Sequence, residues 1–327
     1  MLIVSNYHYI REDFTAKHPS IFGVTPRQFR EQLEELAKHG SFISQEELIK
    51  HRGKPFEKNR ILITFDDGLR EQYELAKPIL DKMGIPAVFF INTSNFEEQK
   101  VSLVHKIHLL RSRLSSEDIL QELKKLQKES LSEKDKQEAI SHYNYDEEQT
   151  ALLKYLLNFK LSLPEQEKFI SPLFDEMFEE KKVASELYFD RHMLQELHDN
   201  KLLGSHSHRH LPLGQLSEDL LRKELKNTQD FFLNNFGKIS ETISYPYGSY
   251  QACRGISEEV EKAGFKLGFT MERAANKSLK YDSLLLSRFD CNDLPLGKND
   301  LFEGQHIFTN PRLRQWHKHE SSFTDKR

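Results

Sequence analysis

"ILITFDDGLREQ", residues 61–72, opens with five residues that are apolar or β-branched and then stops at two adjacent acids. Such a run, with no polar alternation, suits a strand covered on both faces. Asp66 and Asp67 at its end repel each other and resist desolvation, so the fold gains little from them. In parallel α/β folds, functional groups gather at the C-terminal ends of the strands. Phe65 is the last strand-like residue and Gly68 permits a sharp turn, which puts the acid pair where a site belongs. A plainer alternative makes Asp66 or Asp67 the N-cap of a helix over "GLREQYELAKPILDKMG".

Further short apolar runs extend the pattern: "LIVSNY" (2–7), "AVFFIN" (87–92), "KLLGS" (201–205), "TISYP" (242–246), "KLGFT" (266–270) and "LLLSRF" (284–289). Helical patterns alternate with them. "TPRQFREQLEELAKHG" has Thr25 as N-cap, Pro26 at the first helical position and Gln28 closing a capping box. "SEDLLRKELKNTQDFFLNNFG" starts at Ser217 and stops at Gly237, and "SEEVEKAG" (257–264) forms another short capped helix. Alternation of this kind predicts a parallel sheet or barrel with outer helices. From about 95 to 190 the rhythm breaks, and only charged amphipathic helical segments follow one another. The expected organisation is a barrel over 1–94 and 191–308, a helical insertion over 95–190, and a polar C-terminal tail over 309–327.

A second cluster stands in "LLGSHSHRHLPL" (202–213). His206 and His210 are four apart, so within one turn or tight loop both imidazoles can face one point. Alone, the cluster also fits a surface or nucleic-acid-facing group of histidines. Joined with an acid at another strand end, two histidines and one aspartate leave positions open for water, as catalytic divalent sites do. The second acid is then free to act as a base.

Here the chain resembles a known family. "TFDDG" (64–68) and "HSHRH" (206–210) match the first two motifs, T-F-D-D-G and H-[ST]-x-x-H, of the polysaccharide deacetylases, carbohydrate esterase family four with its NodB-like homology domain. "SYPYGSY" (244–250) looks like the third motif, whose Pro-Tyr-Gly core lines the substrate groove; "NYHYI" (6–10) and "GIPAVFFINT" (84–93) resemble the first two barrel strands. The resemblance implies a distorted (β/α) barrel of about seven strands. It implies a divalent ion, Zn2+ or another, held by Asp67, His206 and His210, with Asp66 as general base. The backbone N–H of Tyr247, after Pro246, would stabilise the oxyanion. The reaction would release acetate from an N-acetylated amino sugar. Ser207 and His208 are expected to orient the loop or face away.

Two departures qualify the match. The third motif often begins with an arginine that orients the base; here that position looks like Ser244. Arg288, at the end of another predicted strand, can reach Asp66 instead, or pair with Asp290 or Asp293. The fifth motif, Leu-x-His, which supplies a general acid, is not found. His8, at the end of the first predicted strand, is the preferred candidate, ahead of His306, His317 and His319.

Composition narrows the classes. The 327 residues carry a net charge of −4, which favours neither nucleic acid nor an anionic membrane. Two cysteines form no disulfide framework, and no apolar run approaches the ~18 residues of a transmembrane helix. "MLIVSNYHYIRED" lacks the basic start of a signal peptide, so a cytoplasmic protein acting on a glycan, lipid-linked or nucleotide-linked sugar is expected. Two other functions compete. One is a deacylase of a non-sugar amide. The other is a catalytically silent glycan-binding module whose insertion docks a partner or a second copy.

Overall fold

The computed structural model describes residues 1–15, 17–19, 23–126, 131–144, 146–279 and 283–316. The polar tail predicted over 309–327 therefore lies, from 317 on, outside the described residues, as do His317 and His319. The chain divides into two compact units: Met1–Asp13, Phe22–Lys100 and Ala184–Arg327 form the first, Phe14–Ile21 and Val101–Val183 the second.

The first unit is built on one parallel sheet. Its strands are β1 (Leu2–Tyr7), β2 (Ser41–Phe42), β3 (Arg60–Phe65), β4 (Ala87–Ile91), β5 (Leu203–Ser205), β6 (Thr242–Ser244), β7 (Leu267–Phe269) and β8 (Phe289–Asp290). Seven lie in the order β7-β6-β5-β4-β3-β1-β8, and β2 pairs with β3 off this path. The two ends of the path are brought together by one segment. Leu286 bridges Phe269 in parallel, and Phe289 pairs with Ser5 of β1. This is the distorted (β/α) barrel predicted from the motifs. Two details differ from expectation. The run 284–289 gives only the Leu286 bridge and the start of β8, because the Ser287 backbone bonds the Asn276 side chain and the Arg288 N–H donates to the Glu272 carbonyl. β2 is too short to leave a pattern.

Period-two alternation explains why the strands read as continuous apolar runs. One face carries Ile3, Tyr7, Ile61, Ile63, Phe65, Phe89 and Ile91, packed on Phe29, Leu33 and Leu36 of the helix Pro26–Ala37. That helix has the predicted Thr25–Gln28 capping box. The other face carries Leu2, Val4, Leu62, Val88 and Phe90, together with Phe269 and Leu286. Continuing along this inner face, the next positions are Asn6 in β1, and Thr64 then Asp66 in and after β3. All three are buried. The barrel interior thus changes from hydrocarbon to polar groups at the C-terminal ends of the strands.

In the second unit, the described residues of Val101–Val183 form helices joined by turns, while 14, 15 and 17–19 carry no helix. Its main helices are Leu103–Arg111, Ser116–Leu126, Glu133–His142, Glu148–Tyr155 and Leu163–Met177. Leu109, Leu110, Ile119, Leu123, Leu153, Ile170 and Phe174 are buried there. Ser132 and Ser162 each close a capping box, with Asp135 and Glu165. Among the described residues no helix is long and apolar enough to cross a membrane.

Candidate metal and acid-base site

Asp66 follows β3 and is held from several directions. Its N–H donates to the Tyr7 carbonyl at 3.0 Å, continuing the β1–β3 ladder by one residue. Its carboxylate accepts two parallel bonds from Arg288, Nη1 to Oδ1 at 2.9 Å and Nη2 to Oδ2 at 2.8 Å. Asn6 Nδ2 donates to Oδ2 at 3.1 Å. Arg288 is fully buried, and all five of its N–H donors are used. Besides Asp66, Nε donates to the Thr270 carbonyl at 3.0 Å, Nη1 to Asn6 Oδ1 at 3.0 Å and Nη2 to Ser244 Oγ at 2.8 Å. Burial alone would raise the Asp66 carboxyl. The Arg288 guanidinium, aided by the His206 and His8 imidazoles, outweighs burial and holds that carboxyl well below the usual carboxylate range. Asp66 is therefore an ionised, oriented carboxylate, and Oδ1 keeps a lone pair for a further donor. Arg288 reaches Asp66 and not Asp290 or Asp293; Asp293 pairs instead with Arg273, at 2.8 Å.

Asp67 points elsewhere. Its φ of 76° and that of Gly68, 64°, turn the chain sharply after the strand. A Cβ on Gly68 would stand 2.8 Å from Ile91 Cγ2, so the close passage of β3's exit over β4 also requires glycine. The turn brings Asp67 Oδ1 to 3.6 Å from His206 Nε2 and 3.5 Å from His210 Nε2. The ligand atoms of these three buried side chains all lie within 4.8 Å of one another. Ligand atoms held at about 2.0–2.2 Å around a tetrahedral ion stand roughly 3.3–3.6 Å apart, so this N,N,O set fits a divalent cation such as Zn2+. His206 follows β5, and its N–H donates to the Ile91 carbonyl at 2.7 Å. Its Nδ1–H donates to the Ser244 carbonyl at 2.8 Å, which fixes the ring and leaves the Nε2 lone pair facing Asp67.

Strained backbone gathers here. Asp67, Ser207, His210 and Tyr247 all have φ between 57° and 76°, a region that non-glycine residues enter at a cost. Tyr247 leaves β6 through the turn containing buried Pro246; its ring lies edge-on to His210 at 5.0 Å and is 45% exposed. His8 is the first residue past β1. Its carbonyl accepts from Gln72 Nε2 at 2.9 Å, and its imidazole is half-buried. The structure thus gathers Asp66, Asp67, His206, His210 and Arg288, with Tyr247 against His210 and His8 adding to the field on Asp66. His306 lies with His39, at 4.6 Å between rings. Sequence reasoning missed Asn6, Thr270 and Gln72, whose side chain or carbonyl completes the setting of Arg288 and Asp66. Asn6 had a readable signal: it is the polar step in an otherwise apolar inner face.

Comparisons with known proteins agree with this architecture. The family described as polysaccharide deacetylase matches residues 53–134 and 178–270. A poly-beta-1,6-N-acetyl-D-glucosamine N-deacetylase of Staphylococcus aureus is 25% identical over 283 residues, covering 83% of this chain and 72% of that protein. The protein of the same name from Staphylococcus epidermidis is 22% identical over 283 residues, with the same coverage of both chains. Among solved structures, the Streptococcus pyogenes deacetylase PplD, in complex with acetate, aligns over 88% of this chain and 91% of its own. Its TM-score is 0.53 at 17% identity. A de-N-acetylase from Aggregatibacter actinomycetemcomitans gives 0.50 at 14% identity, over 88% and 94%. These two structural likenesses support the fold.

Proposed function

This chain belongs to the polysaccharide deacetylase family, and from that premise we propose that it removes acetyl groups from N-acetylglucosamine units of a polymer, with Zn2+ as its ion. The observation that carries the reading is the pairing of two differently set acids. Asp66 is clamped by Arg288 and kept ionised, while Asp67 faces two imidazoles. The substrate class follows the names of the staphylococcal relatives.

Asp67, His206 and His210 would hold the ion, which supplies Lewis acidity to the acetamide carbonyl and to the attacking water. Asp66 accepts the proton of that water as its oxygen adds to the carbonyl carbon. Arg288 keeps the accepting oxygen aimed and compensates its charge. The Tyr247 N–H donates to the oxyanion that develops at the carbonyl oxygen. The C–N bond then breaks. His8, on the first loop of the barrel, gives the departing nitrogen its proton, so the products are acetate and a free amine. Exposed Tyr247 offers a ring face beside the bound sugar.

The test is acetate release from β-1,6-linked N-acetylglucosamine oligomers, set against simple non-sugar acetamides. Activity should vanish on chelation and return with Zn2+. Asp66→Asn should lower turnover by about 10²–10⁴-fold with metal content unchanged. A metal-replete wild-type protein that releases no acetate from any N-acetylhexosamine would overturn the reading.

A further inference from the structure

Between the two imidazoles of the "HSHRH" loop stand His208 and Arg209, to which the chemistry above gives no task. Both are tied to residues outside the loop. His208 is 3% exposed. Its Nε2 meets Glu98 Oε1 at 3.1 Å and its Nδ1 meets Thr93 Oγ1 at 2.8 Å. With the proton on Nε2, the ring donates to Glu98 and accepts from the Thr93 hydroxyl. Arg209 turns to the opposite side. Its N–H and its Nε donate to Glu224, at 3.0 and 2.6 Å. Glu224 is a fully buried carboxylate on the helix Glu218–Phe236.

The loop backbone is stitched down as well. The Asn92 side-chain amide donates to the His206 carbonyl, and the N–H groups of Thr93 and Ser94 donate to the carbonyls of Ser207 and His208, both at 3.1 Å. This matters because Ser207 and His210 are both left-handed. A five-residue loop with two such non-glycine residues keeps its shape only when its surroundings over-determine it. A looser loop would let the two imidazoles drift apart.

We propose that His208 and Arg209 are positioning residues. Through Thr93 and Glu98 on one side and Glu224 on the other, they hold His206 and His210 in the arrangement that binds the ion. This rests on the metal reading above, but it assigns the loop's affinity to residues that touch neither ion nor substrate.

The test is titration of full-length apo-protein with Zn2+ against a chromophoric chelator, with the thermal midpoint of each apo-protein measured alongside. His208→Ala and Glu224→Ala should raise the Zn2+ dissociation constant by about 3–10-fold, below the roughly 10–100-fold of losing a partner bonded to a ligand itself, because both act one contact further back. Glu224→Gln, which keeps an acceptor for the Arg209 N–H, should recover most of the affinity. Because Glu224 is buried, Glu98→Ala provides a variant whose folding is not at stake; its side chain is 47% exposed. It should weaken binding in the same direction by a smaller factor. Folded variants that bind Zn2+ as tightly as wild type, even with lowered midpoints, would show a merely structural role and overturn the proposal. A wild-type protein that binds no Zn2+ would overturn the metal reading and this one with it.

Discussion

Two buried ion pairs, one in each unit, show what the chain asks of a charge. Arg288 and Asp66 sit in the barrel with side-chain exposures of 0% and 3%. Lys106 and Glu180 sit in the helical unit at 7% and 14%, with Nζ 2.8 Å from Oε1. Both pairs are satisfied by further partners. Lys106 also donates to Ser171 Oγ at 3.2 Å and lies over the Phe174 ring at 5.3 Å, while Glu180 accepts from the Val101 N–H at 3.1 Å. The difference lies in the cation. A guanidinium is a planar fork that meets both oxygens of a carboxylate and so fixes its plane. An ammonium is a point charge that neutralises without orienting. The barrel pair fixes the plane of a carboxylate; the helical pair ties three helical segments to one another.

The comparison is tested most severely at Arg288. Arg288→Met leaves Asp66 buried without its counter-charge, and should cost about 3–5 kcal/mol in urea unfolding at pH 7. The pH dependence follows from the direction of the Asp66 shift. In the wild type the folded carboxyl is depressed. Its contribution is therefore complete above the unfolded value of about 3.9 and is lost as pH falls below it. In the variant, burial is opposed only by the weaker pull of His206 and His8, so the carboxyl rises relative to wild type and lowering the pH relieves its penalty. The stability gap between the two proteins should therefore shrink from pH 7 to pH 3. A gap that stays constant over that range would mean that the pair contributes through packing alone.

Why these features were legible in different degrees is a matter of range along the chain. Asp66, Asp67, His206 and His210 are adjacent or one turn apart and follow apolar runs, so strand-end logic and the motifs find them. The capped helix at Pro26–Ala37 is equally local. The partners of Arg288 are not. They come from β1, β3, β6 and the exit of β7, and only closure of the barrel through Leu286 and Phe289 brings them together. Ser244, which reads as a departure from the third motif, is the short side chain that accepts from Arg288 and leaves its guanidinium room. The left-handed turns at Asp67, Ser207, His210 and Tyr247 were hidden for a related reason. No glycine marks those positions, and the strain shows only once the surrounding hydrogen bonds are known. β2, two residues long, is fixed entirely by its neighbour β3.

The helical unit supplies the smaller effects. Lys106→Met keeps the stem packed on Phe174 but removes the charge facing Glu180. Since Glu180 retains the Val101 N–H, the loss should be about 1–3 kcal/mol, below that of Arg288→Met. Amide exchange should quicken over residues 103–111 and 163–177. If Lys106→Met proved as costly as Arg288→Met, the fork geometry would not be what sets the two pairs apart. Lys136→Ala should do least. Lys136 reaches Glu133 at 2.5 Å across one helical turn, but the two side chains are 40% and 83% exposed. Water and salt screen such a pair, and ordering two long side chains offsets the attraction, so the thermal midpoint should not move. A measurable drop that disappears in 1 M salt would mean that even the surface charges of this unit act as a network, and burial would no longer divide the pairs that matter from those that do not.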